Sequence, residues 1–115
     1  MAISLPTPHW IVTDEKVKKA VQKIVEISQP VKVILFGSYV RGETTINSDL
    51  DILVITSDNI SNSRKESVRI RRALRGISMP MDVLVIPQTR WDVMKEVPGL
   101  IYREVLMKGK VVYES

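Results

Sequence analysis

The segment FGSYVRGETTINSDLDI, residues 36–52, carries a Gly-Ser pair at the end of one apolar run and two aspartates, Asp49 and Asp51, at the start of the next. Carboxylates one residue apart repel, so a chain does not place them there to stabilise itself. On a strand, side chains alternate between faces, and both aspartates point the same way, roughly 7 Å apart along the backbone. Leu50 points the other way, into the core, on the face that Ile52 and Val54 share. Asp82 opens a further apolar run, DVLVI. If the two aspartate-bearing strands are neighbours, three carboxylates converge. Each pair about 5 Å apart repels by roughly 3 kcal/mol at an effective dielectric of about 20. Oxygen donors of this kind suit Mg²⁺ or Mn²⁺ rather than zinc. Two such ions, bridged by carboxylates, can clamp the attacking and leaving oxygens of an in-line phosphoryl displacement.

Gly37 and Ser38 follow the apolar run that ends at Phe36. Without a Cβ, Gly37 lets a phosphate approach the backbone. Ser38 supplies a hydroxyl, and the amides of Ser38 and Tyr39 can face an anion if a helix starts there. Arg41 lies one turn further and can reach the same phosphates. Gly42 and the polar ETTINS turn the chain back toward the aspartates. A plainer reading also exists: Ser48 and Asp49 cap a turn, Asp82 guards a strand edge, and Arg41 is merely solvated. Gly-Ser and Asp-x-Asp are each common, but their combination in this order with a third aspartate is not.

The elements that must position these residues are legible from periodicity. DEKVKKAVQKIVEIS, residues 14–28, reads as a helix with a stripe through Val17, Val21, Ile24 and Ser28, widened by Ala20, Val25 and Ile27. Thr13 is its expected N-cap, and Pro30 prevents its continuation. Residues 31–36, 51–56 and 81–86 are short, β-branched and apolar, which predicts buried strands. Between the last two, SRKESVRIRRALRGI predicts an amphipathic helix ending near Gly76. Arg64, Lys65, Arg69, Arg71, Arg72 and Arg75 form its basic outer face. QTRWDVMKEV predicts a short helix, and PGLIYREVLMKG another with Pro98 near its first turn. KVVYE reads as a final strand at a sheet edge. The expected fold is α/β (α+β), a small mixed sheet of about four strands covered by helices, in a single domain over residues 1–115.

Composition narrows the function classes. The chain has 115 residues, 44% hydrophobic and 26% charged, with a net charge of +4. That length supports one core and no second one. There is no cysteine, and the single histidine, His9, sits in a proline-containing leader, so thiolate and zinc sites are not expected. No run is long enough to cross a bilayer, and the N-terminus has no export signal pattern, so the expectation is a cytoplasmic protein with no membrane partner. Mildly basic charge suits a phosphate-bearing ligand or an acidic partner. Basic residues without interleaved aromatics argue against direct nucleic-acid binding. The arginine face of residues 64–75 is either solvated or docks an acidic partner. Trp91, Met94, Tyr102 and Met107 read as core or as a dimer or partner interface.

Gly-Ser, ten residues, then Asp-Leu-Asp resembles the motif of the nucleotidyltransferase superfamily that includes DNA polymerase β. FGSYVRGE, SDLDILV and the ending IYREVLMKGKVVYE resemble its minimal branch, the MNT-domain proteins of bacteria and archaea. Gly37 and Ser38 match the triphosphate-binding pair, Asp49 and Asp51 the two metal-binding aspartates, and Asp82 the third carboxylate. The resemblance implies transfer of a nucleoside monophosphate, usually AMP from ATP, with two Mg²⁺ (or Mn²⁺) ions as cofactors. It also implies an antitoxin that adenylylates a tyrosine on a HEPN-domain RNase toxin. Larger enzymes with this motif carry extra domains for the acceptor. Here the sheet and its helices consume nearly every residue, so the acceptor is expected on another chain. Two other readings stay open: a non-catalytic antitoxin that neutralises its partner by occlusion, and nucleotidyl transfer to a small molecule. Whether the chain forms a homodimer or a hetero-oligomer also stays open.

Overall fold

A computed structural model describes residues 8–60 and 62–115. The expected leader and the reading of the N-terminus for an export signal fall partly on residues 1–7, outside the described residues. The element order is α1 (Asp14–Ser28), β1 (Lys32–Phe36), α2 (Ser38–Arg41), β2 (Leu50–Thr56), α3 (Ser63–Ala73), β3 (Met81–Pro87), α4 (Gln88–Met94), α5 (Ile101–Lys108) and β4 (Lys110–Glu114). Among the described residues no helix is long and apolar enough to cross a membrane.

The four strands form one mixed sheet in the order β3-β2-β1-β4. β1 runs antiparallel to both β2 and β4, whereas β2 and β3 are parallel. The parallel pairing needs a crossover, and α3 supplies it. β4 lies at an edge, as its short half-exposed pattern suggests.

The central strands are apolar on both faces, and both are covered. On one side α1 and α3 close over Val33, Leu35, Leu50, Ile52, Val54 and Val83. On the other, α4 and α5 bring Trp91 and Val105 onto Ile34, Phe36, Leu53, Ile55 and Ile86. The single core expected from chain length is therefore two clusters, one on each face of the sheet. Continuous runs such as ILVI, with no polar alternation, are what a two-sided sheet requires.

Local signals held at the helix starts more than at the ends. The Thr13 hydroxyl accepts from the Lys16 amide at 3.3 Å, and α1 spans the expected residues. Its buried line is Val17, Ala20, Ile24 and Ser28, while Ile27 is exposed. α3 stops at Ala73, short of Gly76, because residues 74–76 leave as turns. α5 begins at Ile101, so Pro98 precedes it by a loop and is not in its first turn. Trp91 is buried with its ring edge-on to Tyr102 at 6.4 Å, but Met107 is 70% exposed.

Gly109 joins α5 to β4 where a Cβ would overlap the Val105 carbonyl and press on Ile34 Cγ2. Gly76 has open space around it. Gly109→Ala is expected to lower stability by about 1–3 kcal/mol, through overpacking. Gly76→Ala is expected to leave it nearly unchanged. Equilibrium urea unfolding of the two variants checks the contrast.

Candidate active site

The sheet topology delivers the sequence-predicted residues to one end of the molecule. β1 ends at Phe36 beside the start of β2, and Phe36 is the register partner of Asp51. Asp51 is in turn the register partner of Asp82 across the parallel pair. The backbone between the strand starts is tied by the Leu50 amide donating to the Pro80 carbonyl at 2.9 Å. By strand parity Asp51 continues the face of Leu53 and Ile55, and Asp82 that of Leu84 and Ile86. That is the α4–α5 side of the sheet, left uncovered at this end.

The resulting cleft, about 500 Å³, is lined by Gly37, Ser38, Arg41, Asp49, Asp51 and Asp82, together with Phe36, Asn47, Leu84, Ile101 and Glu104. Every candidate residue read from the sequence is present. A larger hollow of about 660 Å³ lies between α1, Tyr39 and β4, but Asp14 is its only acid. Chemistry, not volume, distinguishes the cleft.

Gly37 is more constrained than phosphate access alone demands. It has φ 79° and caps α2, a conformation that disfavours any side chain. A Cβ there would also collide with Asp51 Oδ2. The Asp51 carboxylate thus occupies the space that the glycine leaves, space expected from the sequence to admit a phosphate. Ser38 opens α2 as expected, although α2 is one turn long, so what it can offer an anion is individual N–H groups rather than a helix dipole. Tyr39 fastens this turn to α1 by donating its hydroxyl to Asp14 Oδ1 at 2.5 Å. That bond, with burial and the Asp14 charge, pushes the phenol up to about 12.

Downstream, residues 45–48 form the returning turn. The Thr45 amide donates to Ser48 Oγ at 2.8 Å and the Asn47 amide to Thr45 Oγ1 at 3.2 Å. Ser48 therefore does cap a turn, while Asp49 lines the cleft. Arg41 is paired with Glu43 at 3.0 Å and also lines the cleft.

The electrostatics record the crowding. Asp51 has its pKa raised above the ordinary carboxylate value, first by burial, then by the charges of Asp82 and Asp49, with Arg41 opposing. Such a site suits a hard divalent cation with oxygen ligands. Among the described residues no three carboxylate, imidazole or thiol groups are gathered so as to hold an ion by themselves. Mg²⁺ does not require such a cage, since it is usually held by one or two carboxylates plus substrate phosphates and water. The donor set fits that mode: three aspartates on one cleft, with the Gly37–Ser38 turn beside them.

Sequence reasoning missed four contributors. Glu104 and Ile101 reach the cleft from α5. Their spacing with the buried Val105 was the available signal, since positions 101, 104 and 105 share a helix face. Leu84 follows Asp82 on the same strand face. Arg71, assigned above to the outer basic face, instead lies 4.0 Å from Asp82 Oδ1. Arg69 also turns inward, bonding Glu66 at 2.7 Å and the Ile27 carbonyl at 2.6 Å.

The family model for the nucleotidyltransferase domain matches residues 15–112, and the chain belongs to that family. Among particular relatives, a Methanocaldococcus jannaschii protein provisionally named a protein adenylyltransferase is 36% identical over 56 residues, 49% of this chain and 54% of that protein. The match thus spans about half the length of each. A crystal structure provisionally assigned as a nucleotidyltransferase, from Sulfolobus solfataricus, superposes with a TM-score of 0.59 at 20% identity, covering 87% of this chain and 78% of that one. A toxin–antitoxin solved with AMP-PNP superposes at 0.55 with 22% identity, covering 90% and 75%. A variant of the toxin–antitoxin MntA-HpeT gives 0.54 at 19% identity, again covering 90% and 75%. At these identities the structural likenesses establish the nucleotidyltransferase fold.

The raised pKa of Asp51 has a sign that can be tested. The folded chain holds that proton more tightly than the unfolded chain, so ionisation costs stability fully above the raised value and not at all below the ordinary 3.8. Asp51→Asn is expected to melt a few degrees higher than the unaltered chain at pH 7 in chelator. The gap should close as the pH falls through the raised value to below 3.8. A lower melting temperature for the variant at pH 7, followed by circular dichroism, contradicts this account.

Proposed function

We propose that the chain is a metal-dependent nucleotidyltransferase that moves AMP from ATP to a hydroxyl on a partner protein. The proposed acceptor is a tyrosine of a HEPN-type RNase toxin, whose modification makes the chain an antitoxin. The observation that carries the reading is the register pairing of Asp51 with Asp82 beside the Gly37–Ser38 turn, which with Asp49 puts three carboxylates and that turn on one open cleft. The names of the M. jannaschii relative and of the toxin–antitoxin neighbours point the same way.

In this reading the Ser38 hydroxyl and the backbone amides after Gly37 hold the β- and γ-phosphates. Arg41, at the cleft wall, adds a positive charge to the same phosphates once it leaves Glu43. Asp49 and Asp51 would hold two divalent cations, and Asp82 one of them. Bound there, the ions would lower the acceptor hydroxyl's pKa and offset charge on the leaving pyrophosphate. Asp82 accepts the hydroxyl proton. The acceptor oxygen bonds to the α-phosphorus, the α–β bridging bond breaks, and pyrophosphate departs with the electron pair.

A protein acceptor is favoured by the cleft's surroundings. Leu100, Ile101 and Met107, exposed on and beside α5, form with Arg103, Glu104 and Lys108 a mixed apolar and charged rim that adjoins the cleft at Ile101 and Glu104. A small acceptor would leave that rim uncovered.

With [α-³²P]ATP, Mg²⁺ and a HEPN-type RNase as acceptor, substoichiometric chain is expected to label and inactivate an excess of the RNase. Asp49→Asn and Asp51→Asn are each expected to lower labelling at least about a hundredfold, the scale of losing one strong transition-state stabiliser. Retained labelling by either variant refutes the metal assignment. Inactivation that needs one chain per RNase and no ATP supports occlusion instead.

A further inference from the structure

Among the described residues, Asp82 is the cleft aspartate that a cationic side chain approaches to ion-pair distance. The Arg71 Nη2 atom that lies 4.0 Å from Asp82 Oδ1 also donates to the Val83 carbonyl at 3.1 Å. β3 is an edge strand, so Arg71 reaches from α3 across that edge and caps one of its carbonyls. The carbonyl bond leaves the guanidinium charge intact and holds it next to Asp82. Both side chains are more than half exposed, 57% and 55%, so the pair itself adds little to stability. Its effect is on the local potential at the carboxylate.

We propose that Arg71 is the resident counter-cation of Asp82 and competes with a divalent cation for that carboxylate. This rests on the metal reading of the cleft given above. A cation on Asp82 sits close enough to the guanidinium for direct repulsion, and a surface pair at this range is only partly screened by salt. Loading at Asp82 therefore becomes conditional on added negative charge in the cleft, which a nucleoside triphosphate brings. Arg71 thus couples metal occupancy at the third aspartate to nucleotide occupancy. The other charged residues that line the cleft are acidic (Asp49, Asp51, Glu104) except Arg41, which is held by Glu43.

The test is Mn²⁺ titration of the nucleotide-free chain, read by electron paramagnetic resonance. Arg71→Gln is expected to bind Mn²⁺ about three- to tenfold more tightly than the unaltered chain, from loss of one neighbouring charge. Arg71→Lys, which keeps the charge, stays closer to the unaltered chain than to Arg71→Gln. Arg72→Gln, which removes an equal charge from the exposed face of α3, changes affinity less than twofold. In an Asp82→Asn background, Arg71→Gln has no further effect. Unchanged or weaker Mn²⁺ binding by Arg71→Gln overturns the proposal, as does equal tightening by Arg72→Gln. If the unaltered chain and Asp51→Asn bind Mn²⁺ alike, the metal reading itself fails and takes this proposal with it. If Asp51→Asn loses binding but Arg71→Gln gains none, only the role of Arg71 falls.

Discussion

Asp51 stands between Phe36 on one neighbouring strand and Asp82 on the other, with its carboxylate against the bare Cα of Gly37. The rest of the cleft depends on that placement. The parallel pairing of β2 with β3 makes two strand starts, rather than a start and an end, lie side by side. The antiparallel pairing with β1 brings a strand end to the same edge, and with it the turn at Gly37. The Gly37–Ser38 turn and three acids therefore meet at one end of the sheet. Substitution of Gly37 would disturb both halves at once, since the left-handed turn and the space for Asp51 share one residue.

Such an arrangement is held in place by the sheet, not by attraction among its members. The apolar run that follows Asp51 is buried on both faces, and the run after Asp82 is buried at Val83 and Ile86 and half-buried at Leu84 and Val85; that burial outweighs the repulsion at their starts. The residual strain appears as the raised pKa of Asp51. Arg41, from the turn after Ser38, opposes it at Asp51, while Arg71, from α3, stands beside Asp82. A site whose charges are incompletely matched by the chain is one that gains from taking up cations and releasing protons.

The helices divide the remaining work. α1 and α3 bury one face of the sheet, and α3 also provides the crossover that makes β2 and β3 parallel. α4 and α5 bury the other face only in part, through Trp91 and Val105, and leave the carboxylate end open. α5 then supplies the mixed rim and Glu104 beside the opening. That surface adjoins the cleft at Ile101 and Glu104.

Much of this was legible in the residues themselves. Short apolar β-branched runs, period-3.6 stripes, a Thr cap and a Pro stop marked which segments became strands and helices. Gly37, Ser38, Arg41, Asp49, Asp51 and Asp82 could be named because their types and local spacing are chemically unusual. Contacts across α3 and α5 could not be read in this way. Arg71 looks like one of six basic residues on a helix face, and only the packing angle of α3 on β3 turns it toward Asp82. Glu104 looks like an ordinary surface acid until α5 is laid over the sheet. Hydrophobic period reports which side of an element is buried, whereas register and docking depend on contacts between residues far apart in the chain. The sequence by itself therefore determined the chemical groups and the strands that bear them. The tertiary structure alone decided that Asp51 faces Asp82, and which cations stand beside them.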